Sequence, residues 1–256
     1  MTAPTLSIQL YSLRSLGGLE RQLDAAAAAG FRSVETIGSH LDDAGSLKRA
    51  LAERGLDAPS GHVGIAALRQ DAGRVAAAAG EVGITQLFMP AFPSDERSMD
   101  ADGWTRAGAE LGAIAETLQA RGVALGYHNH HWEFARLEGG KRPLDCLFEG
   151  AKGSPLIWQA DIAWIARGGE DAATWLAKYR SALASAHVKD QAPAGENEDE
   201  DGWCDVGAGT LDWPTLWEKA AADGAKLMVV EHDNPKDPAG FASRSFRYLE
   251  RFERTG

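Results

Sequence analysis

Short apolar runs alternate along the whole chain with longer stretches of helical periodicity, and this alternation predicts strands and helices by turns. Leu6-Ser7-Ile8-Gln9-Leu10-Tyr11 reads as a first strand. A helix should follow from about Leu19 through the alanine run that ends at Ala29, stopped by Gly30. Alanine favours helix, and its small side chain lets the helix lie close to a sheet. A second strand is expected over 31–35 and a second helix over 47–54, closed by Gly55. The pattern then recurs. Strands are predicted over 56–62, 84–89, 123–128, 156–161, 185–189 and 227–231. Helices are predicted over 65–79 with Gly80 as cap, 104–120, 144–151, 172–179, 213–222 and 239–251. Pro214 suits the first turn of its helix.

Strands that alternate with helices imply a parallel sheet with right-handed crossovers. Eight such units predict an α/β fold, a (β/α)8 TIM barrel, as a single domain over residues 1–256. The length of 256 residues suits that architecture. A doubly wound open sheet has less support, because no G-x-G-x-x-G follows the first strand.

Composition narrows the partners. Hydrophobic residues make up 44% of the chain, the net charge is −11 and the pI is about 5.1. That balance argues against nucleic acid, whose affinity rests on clustered Lys and Arg. No apolar run approaches the ~20 residues that span a bilayer, so no membrane partner is expected. Met1-Thr2-Ala3-Pro4 lacks a basic region and an apolar core, which argues against a secretory signal and for the cytoplasm. Cys146 and Cys204 form no CxxC and read as reduced thiols. The acidic run from Glu196 to Asp201 lacks EF-hand spacing and reads as a solvated loop. A homo-oligomer is compatible with all of this.

The chemistry concentrates where apolar runs end. Gly126-Tyr127-His128-Asn129-His130-His131-Trp132-Glu133-Phe134 follows the apolar Val123-Ala124-Leu125. Three later runs also end in a metal-type ligand, at Asp161, His187 and Glu231. In a (β/α)8 barrel the loops after the strands' carboxyl ends form the active face. Glu133, Asp161, His187 and Glu231 are therefore expected to hold one divalent cation, since clustered carboxylates would repel one another without it. Mixed oxygen and imidazole donors suit Mn2+ first, then Mg2+, Co2+, Fe2+ or Zn2+. On strand five an alternative stands open: His128 binds the metal and Glu133 serves as base. Glu231, His128, His62 and Glu133 are the candidate acids and bases. Tyr11, Glu35, His130, Trp164 and Lys189 are the candidate substrate contacts. Each also has a structural reading. Glu35 fits an internal ion pair, Lys189 a salt bridge with Asp190, and Trp132 and Trp164 rim packing.

These residues resemble the xylose isomerase-like barrel superfamily, in its sugar phosphate isomerase/epimerase branch. The matching pieces run from Gln9-Leu10-Tyr11-Ser12-Leu13-Arg14 and Gly30-Phe31-Arg32-Ser33-Val34-Glu35, through the histidine-rich segment, to Asp161-Ile162-Ala163-Trp164 and His187-Val188-Lys189-Asp190. Val206-Gly207-Ala208-Gly209-Thr210-Leu211-Asp212-Trp213 and Val230-Glu231-His232-Asp233 complete them. The resemblance implies a metal held by Glu133, Asp161, His187 and Glu231. It implies an isomerase or epimerase of a small keto-sugar or keto-inositol, working through a metal-stabilised enediolate. A dehydratase or lyase of a keto-sugar, inosose or keto-glycoside is the alternative. An endonuclease IV-like phosphoesterase or a non-catalytic sugar-binding barrel ranks below both. Relatives with epimerase activity resemble one another in carrying Glu within strand five, where this chain has Tyr127-His128.

Overall fold

In the computed structural model, which describes residues 3–253, eight strands pair in parallel and close on themselves. They are β1 (Thr5–Gln9), β2 (Ser33–Thr36), β3 (Asp57–His62), β4 (Gln86–Met89), β5 (Ala124–His128), β6 (Ile157–Asp161) and β7 (Leu183–Val188). Two short strands, β8 (Asp190–Gln191) and β9 (Trp203–Cys204), form a separate antiparallel pair before the last stave, β10 (Leu227–Val230). The order around the barrel is β1-β10-β7-β6-β5-β4-β3-β2. This is the expected (β/α)8 TIM barrel. Met1 and Thr2, which belong to the stretch read for a signal, lie outside the described residues.

The period of two along each strand separates two environments. Leu6, Ile8, Val34, Leu87, Met89, Leu125, Trp158, Ala186, Met228 and Val230 point outward and pack in one core with the surrounding helices. The alternate residues point inward and are mostly small or polar: Ser7, Gln9, Ser33, Glu35, Ser60, Gln159 and Ser185 are all buried. Phe88 is the large exception. A Cβ on Gly126, its partner across β4 and β5, would meet the Phe88 ring at 2.5 Å. The missing side chain of Gly126 makes room for that ring inside the barrel, under the histidines.

Several element limits differ from the sequence expectation. The third helix runs over Ile65–Val82, through Gly80, and ends where Gly83 turns left-handed at φ 98°. An additional short helix, Ile162–Arg167, starts directly at the end of β6. Gly55, as expected, terminates the second helix, Ala44–Glu53, with φ 61°. The acidic run is largely exposed, with Glu198–Glu200 forming a short 3-10 turn. Both cysteines are free. Among the described residues no helix is long and apolar enough to cross a membrane.

The helix Ala101–Gln119 crosses the helix Pro143–Gly150 at very short range. A Cβ on Gly108 would lie 1.9 Å from the Leu147 carbonyl oxygen. Backbone cannot yield as a flexible side chain can, so the two helices must separate if a side chain is added. Gly108→Ala is expected to destabilise the fold by roughly 1–3 kcal/mol, read as a lower Tm with an unchanged far-UV spectrum. An unaltered Tm would contradict the crossing.

Candidate metal centre

Four neighbouring staves deliver the side chains. His128 ends β5, Asp161 ends β6, His187 is the fifth residue of β7, and Glu231 directly follows β10. Asp161 also caps the helix Ile162–Arg167: its Oδ1 accepts from Trp164 N at 2.8 Å, which leaves Oδ2 for the interior. Asn129 ties the ends of β5 and β6 together. Its Oδ1 accepts from Asp161 N at 3.1 Å and from Trp158 Nε1 at 3.0 Å, while its Nδ2 donates to the Asp161 carbonyl at 3.2 Å.

One ligand atom from each of His128, Asp161, His187 and Glu231 lies within 4.8 Å of the other three. Asp161 Oδ2 is buried and accepts no well-aligned hydrogen bond, with Lys189 Nζ 3.2 Å away. Two imidazoles and two carboxylates suit a divalent ion of the borderline or hard kind. A grouping of His62, His128 and His187 shares two of these residues. There, however, His62 Nε2 and His128 Nδ1 both face Gln159 Oε1, at 2.7 and 3.0 Å. The four-residue set is the better cation site.

Charge beneath the cluster is compensated in detail. Glu35 is fully buried. Its Oε1 accepts from Gln9 Nε2 at 2.8 Å and sits 2.7 Å from His187 Nε2 and 3.1 Å from His62 Nε2. Its Oε2 accepts from Ser60 Oγ at 2.6 Å and Gln159 Nε2 at 2.7 Å. Burial would raise the Glu35 carboxyl, but the adjacent His62 and His187 outweigh it and hold it well below the ordinary carboxylate range. Burial would lower His187. The Glu231 and Glu35 carboxylates on its two sides push it instead up to about 10. Lys189 Nζ, also fully buried, lies 2.8 Å from Asp233, 2.9 Å from Glu231 and 3.2 Å from Asp161. Burial together with the neighbouring imidazoles holds His128 well below its ordinary value, so it is a neutral donor.

The xylose isomerase-like TIM barrel family model matches residues 23–252 of this sequence. The chain belongs to that family. No curated protein matches the sequence. Solved structures do match over nearly the full length. A sugar phosphate isomerase/epimerase from Parabacteroides distasonis ATCC 8503 has a TM-score of 0.81 and 20% identity, covering 98% of this chain and 94% of its own. A 3-keto-D-glucoside 4-epimerase from E. coli has a TM-score of 0.70 and 18% identity, covering 97% and 99%. The probable 3-DHS dehydratase AsbF from Bacillus anthracis has a TM-score of 0.74 and 11% identity, covering 96% and 98%. At these identities the likeness is one of fold.

Within this xylose isomerase-like barrel the expected site residues separate. Glu133 is not in the cluster, and His128 holds the strand-five place. A 3-10 turn, Trp132–Phe134, carries Glu133 behind the strand end. There it accepts from the Tyr127 hydroxyl and, at 2.8 Å, from His130 N. Burial pushes its carboxyl up to about 7. Glu35 and Lys189, expected to touch substrate, are fully enclosed by their ion pairs. Lys189 does not pair with Asp190, whose carboxylate accepts from the backbone N–H groups of Gly207, Gly209 and Leu211. Tyr11, His62 and His130 line a cavity of about 430 Å³ that also reaches His128 and Glu231. Trp164 is half-buried beside His130, with ring centroids 5.5 Å apart. The sequence reading overlooked Gln159 and Asn129. Gln159 stands two residues before Asp161, on the same face of β6, and that spacing was the available signal.

Two measurements check this arrangement. Asp161→Asn should weaken Mn2+ binding, measured by calorimetry on metal-stripped protein, by more than the roughly 10–100-fold typical of an outer-shell change. Glu133→Gln should leave the affinity unchanged, and a loss equal to that of Asp161→Asn would return Glu133 to the ligand set. Lys189→Met should destabilise the metal-free protein by about 3–5 kcal/mol, because it strands buried carboxylates. Added Mn2+ should then raise the variant's Tm more than the wild type's, and an equal rise in both would contradict that account.

Proposed function

We propose that the protein is a divalent-metal-dependent isomerase or epimerase of a small keto-sugar or keto-inositol, with Mn2+ as the first choice of ion. The observation that carries this reading is the four-residue cluster opening into the same cavity as His62 and His130. When bound, the ion would supply electrophilic polarisation of a carbonyl and its neighbouring hydroxyl.

The chain's own residues supply the proton transfers. Glu231 is the base. Its Oε2 is anchored by His187 Nδ1 and Lys189 Nζ, both at 2.9 Å. Burial alone would raise this carboxyl, but Lys189 and, in the metal-free protein, His187 hold it ionised. It removes a carbon-bound proton next to the carbonyl. His62 is the second acid/base, fixed at Nε2 by Gln159 and Glu35 while lining the cavity. Proton return to the opposite face of the same carbon gives an epimer. Return to the neighbouring carbon gives an isomer. Loss of a β-substituent after the same proton removal gives the dehydratase or lyase reaction. His130 offers an unpartnered, buried Nδ1 to a substrate hydroxyl. Its ring is braced by Trp132, stacked with centroids 4.3 Å apart. The proposed setting is cytoplasmic, with a carbohydrate substrate and no nucleic-acid partner. The net charge of −11 supports the last point.

The test is deuterium uptake. Mn2+-loaded protein in D2O is given a panel of keto-sugars and keto-inositols and followed by proton NMR. At least one compound should gain deuterium beside its carbonyl, and the products separate epimerisation, isomerisation and elimination. His62→Gln should slow uptake by roughly 10²–10⁴-fold with its Mn2+ content intact. Absence of exchange across the whole panel would defeat the reading.

A further inference from the structure

The mouth of the barrel has two chemically different sides. The metal-type residues and His130 come from β5, β6, β7 and β10, which are consecutive around the barrel. The opposite arc is formed by the segments after β2, β3 and β4, also consecutive, and it presents Ile37, Val63, Pro90 and Ala91 to the same cavity. Gly38 and Gly64 add no side chains to that arc, and Ser39 and His62 are its polar members. The cavity of about 430 Å³ falls within the ~300–1,000 Å³ range of small-molecule pockets.

Among the described residues, no lysine or arginine side chain lines this cavity, and those nearest the metal-type cluster are already engaged. The lining residues include Glu231 and Asp233 but no lysine or arginine. Lys189 is enclosed among three carboxylates. Arg14 donates to the Tyr11 and Asp233 carbonyls, at 2.7 and 2.5 Å, and stacks 3.7 Å from the Tyr11 ring centroid. Arg97 donates to the Phe92 carbonyl and lies over Trp132. Barrels often bind phosphate through backbone N–H groups in the loops after the seventh and eighth staves. Here the N–H groups of Gly207, Gly209 and Leu211, which follow the seventh stave, converge on the Asp190 carboxylate. Those N–H groups are therefore already engaged by the chain's own carboxylate. A phosphate group carries a charge near −2 (~−1.5 to −2 at neutral pH), and at the remote end it would lie against Ile37, Val63 and Pro90 with no lysine or arginine among the described lining residues to balance it.

We infer that the site takes an uncharged sugar whose end remote from the metal cluster carries an apolar substituent, and that it rejects the sugar phosphate. This rests on the sugar-processing reading above and narrows it. The reacting carbons lie against Glu231 and His62. The substituent lies against Ile37, Val63 and Pro90.

Calorimetry on the Mn2+-loaded protein tests the inference with three matched ligands: a ketohexose, the same ketohexose phosphorylated at its terminal hydroxyl, and the same compound as a phenyl ether there. The ether should bind roughly tenfold or more tightly than the free sugar, and the phosphate should bind most weakly. Ile37→Asp, with its Mn2+ stoichiometry confirmed, should remove the ether's advantage over the free sugar. A phosphate that binds as well as the free sugar, or an ether that binds no better, overturns the inference and leaves the sugar-processing reading standing. Failure of all three ligands to bind overturns both.

Discussion

Buried charge of opposite sign, matched group by group, is the constraint on which the rest of this barrel depends. Glu35, His187, Glu231, Asp161 and Lys189 are all removed from water. None could remain ionised there alone, because an unpaired buried charge costs several kcal/mol. Each is met by a partner from another stave. Glu35 on β2 touches side chains from β1, β3, β6 and β7. The staves are thus joined by a second, side-chain layer of hydrogen bonds inside the backbone cylinder. That layer accounts for Gln9, Ser60, Gln159 and Ser185 on the inner faces, where aliphatic side chains would be the usual filling.

The same pairing separates function from support. Residues locked in the lower layer, Glu35 and Gln159 above all, have no free atom to offer a ligand. They fix the tilt of His62, His128 and His187, whose rings lie 4.6–5.2 Å apart. Residues one step higher face the cavity. Preorganisation of this kind puts the cost of assembling the site into folding and removes it from binding.

The eight staves were legible in the sequence because each is a short apolar run closed by polar or turn residues. Asp161, His187 and Glu231 were legible as a group for the same reason: each directly ends such a run. Between the two strand-five candidates the sequence could not choose, because Glu133 lies five residues beyond His128, past a turn whose direction no periodicity records; the geometric cluster takes His128. Lys189 and Asp190 misled as adjacent opposite charges. Neighbours on an extended chain point to opposite faces, so one enters the barrel and the other folds the loop outside it. Gln159 escaped notice because a neutral amide in an apolar run has no titratable signature. Its importance comes from four contacts that exist only once β2, β3, β5 and β7 surround it.

The Phe88 ring, seated against the bare backbone of Gly126, makes the cylinder a cup closed from below. His62, His128 and His130 open on the other side, through a doorway that Tyr11 also lines. Whatever occupies that doorway also controls the traffic through it, so a bound ligand would seal its own reaction chamber without any lid having to move.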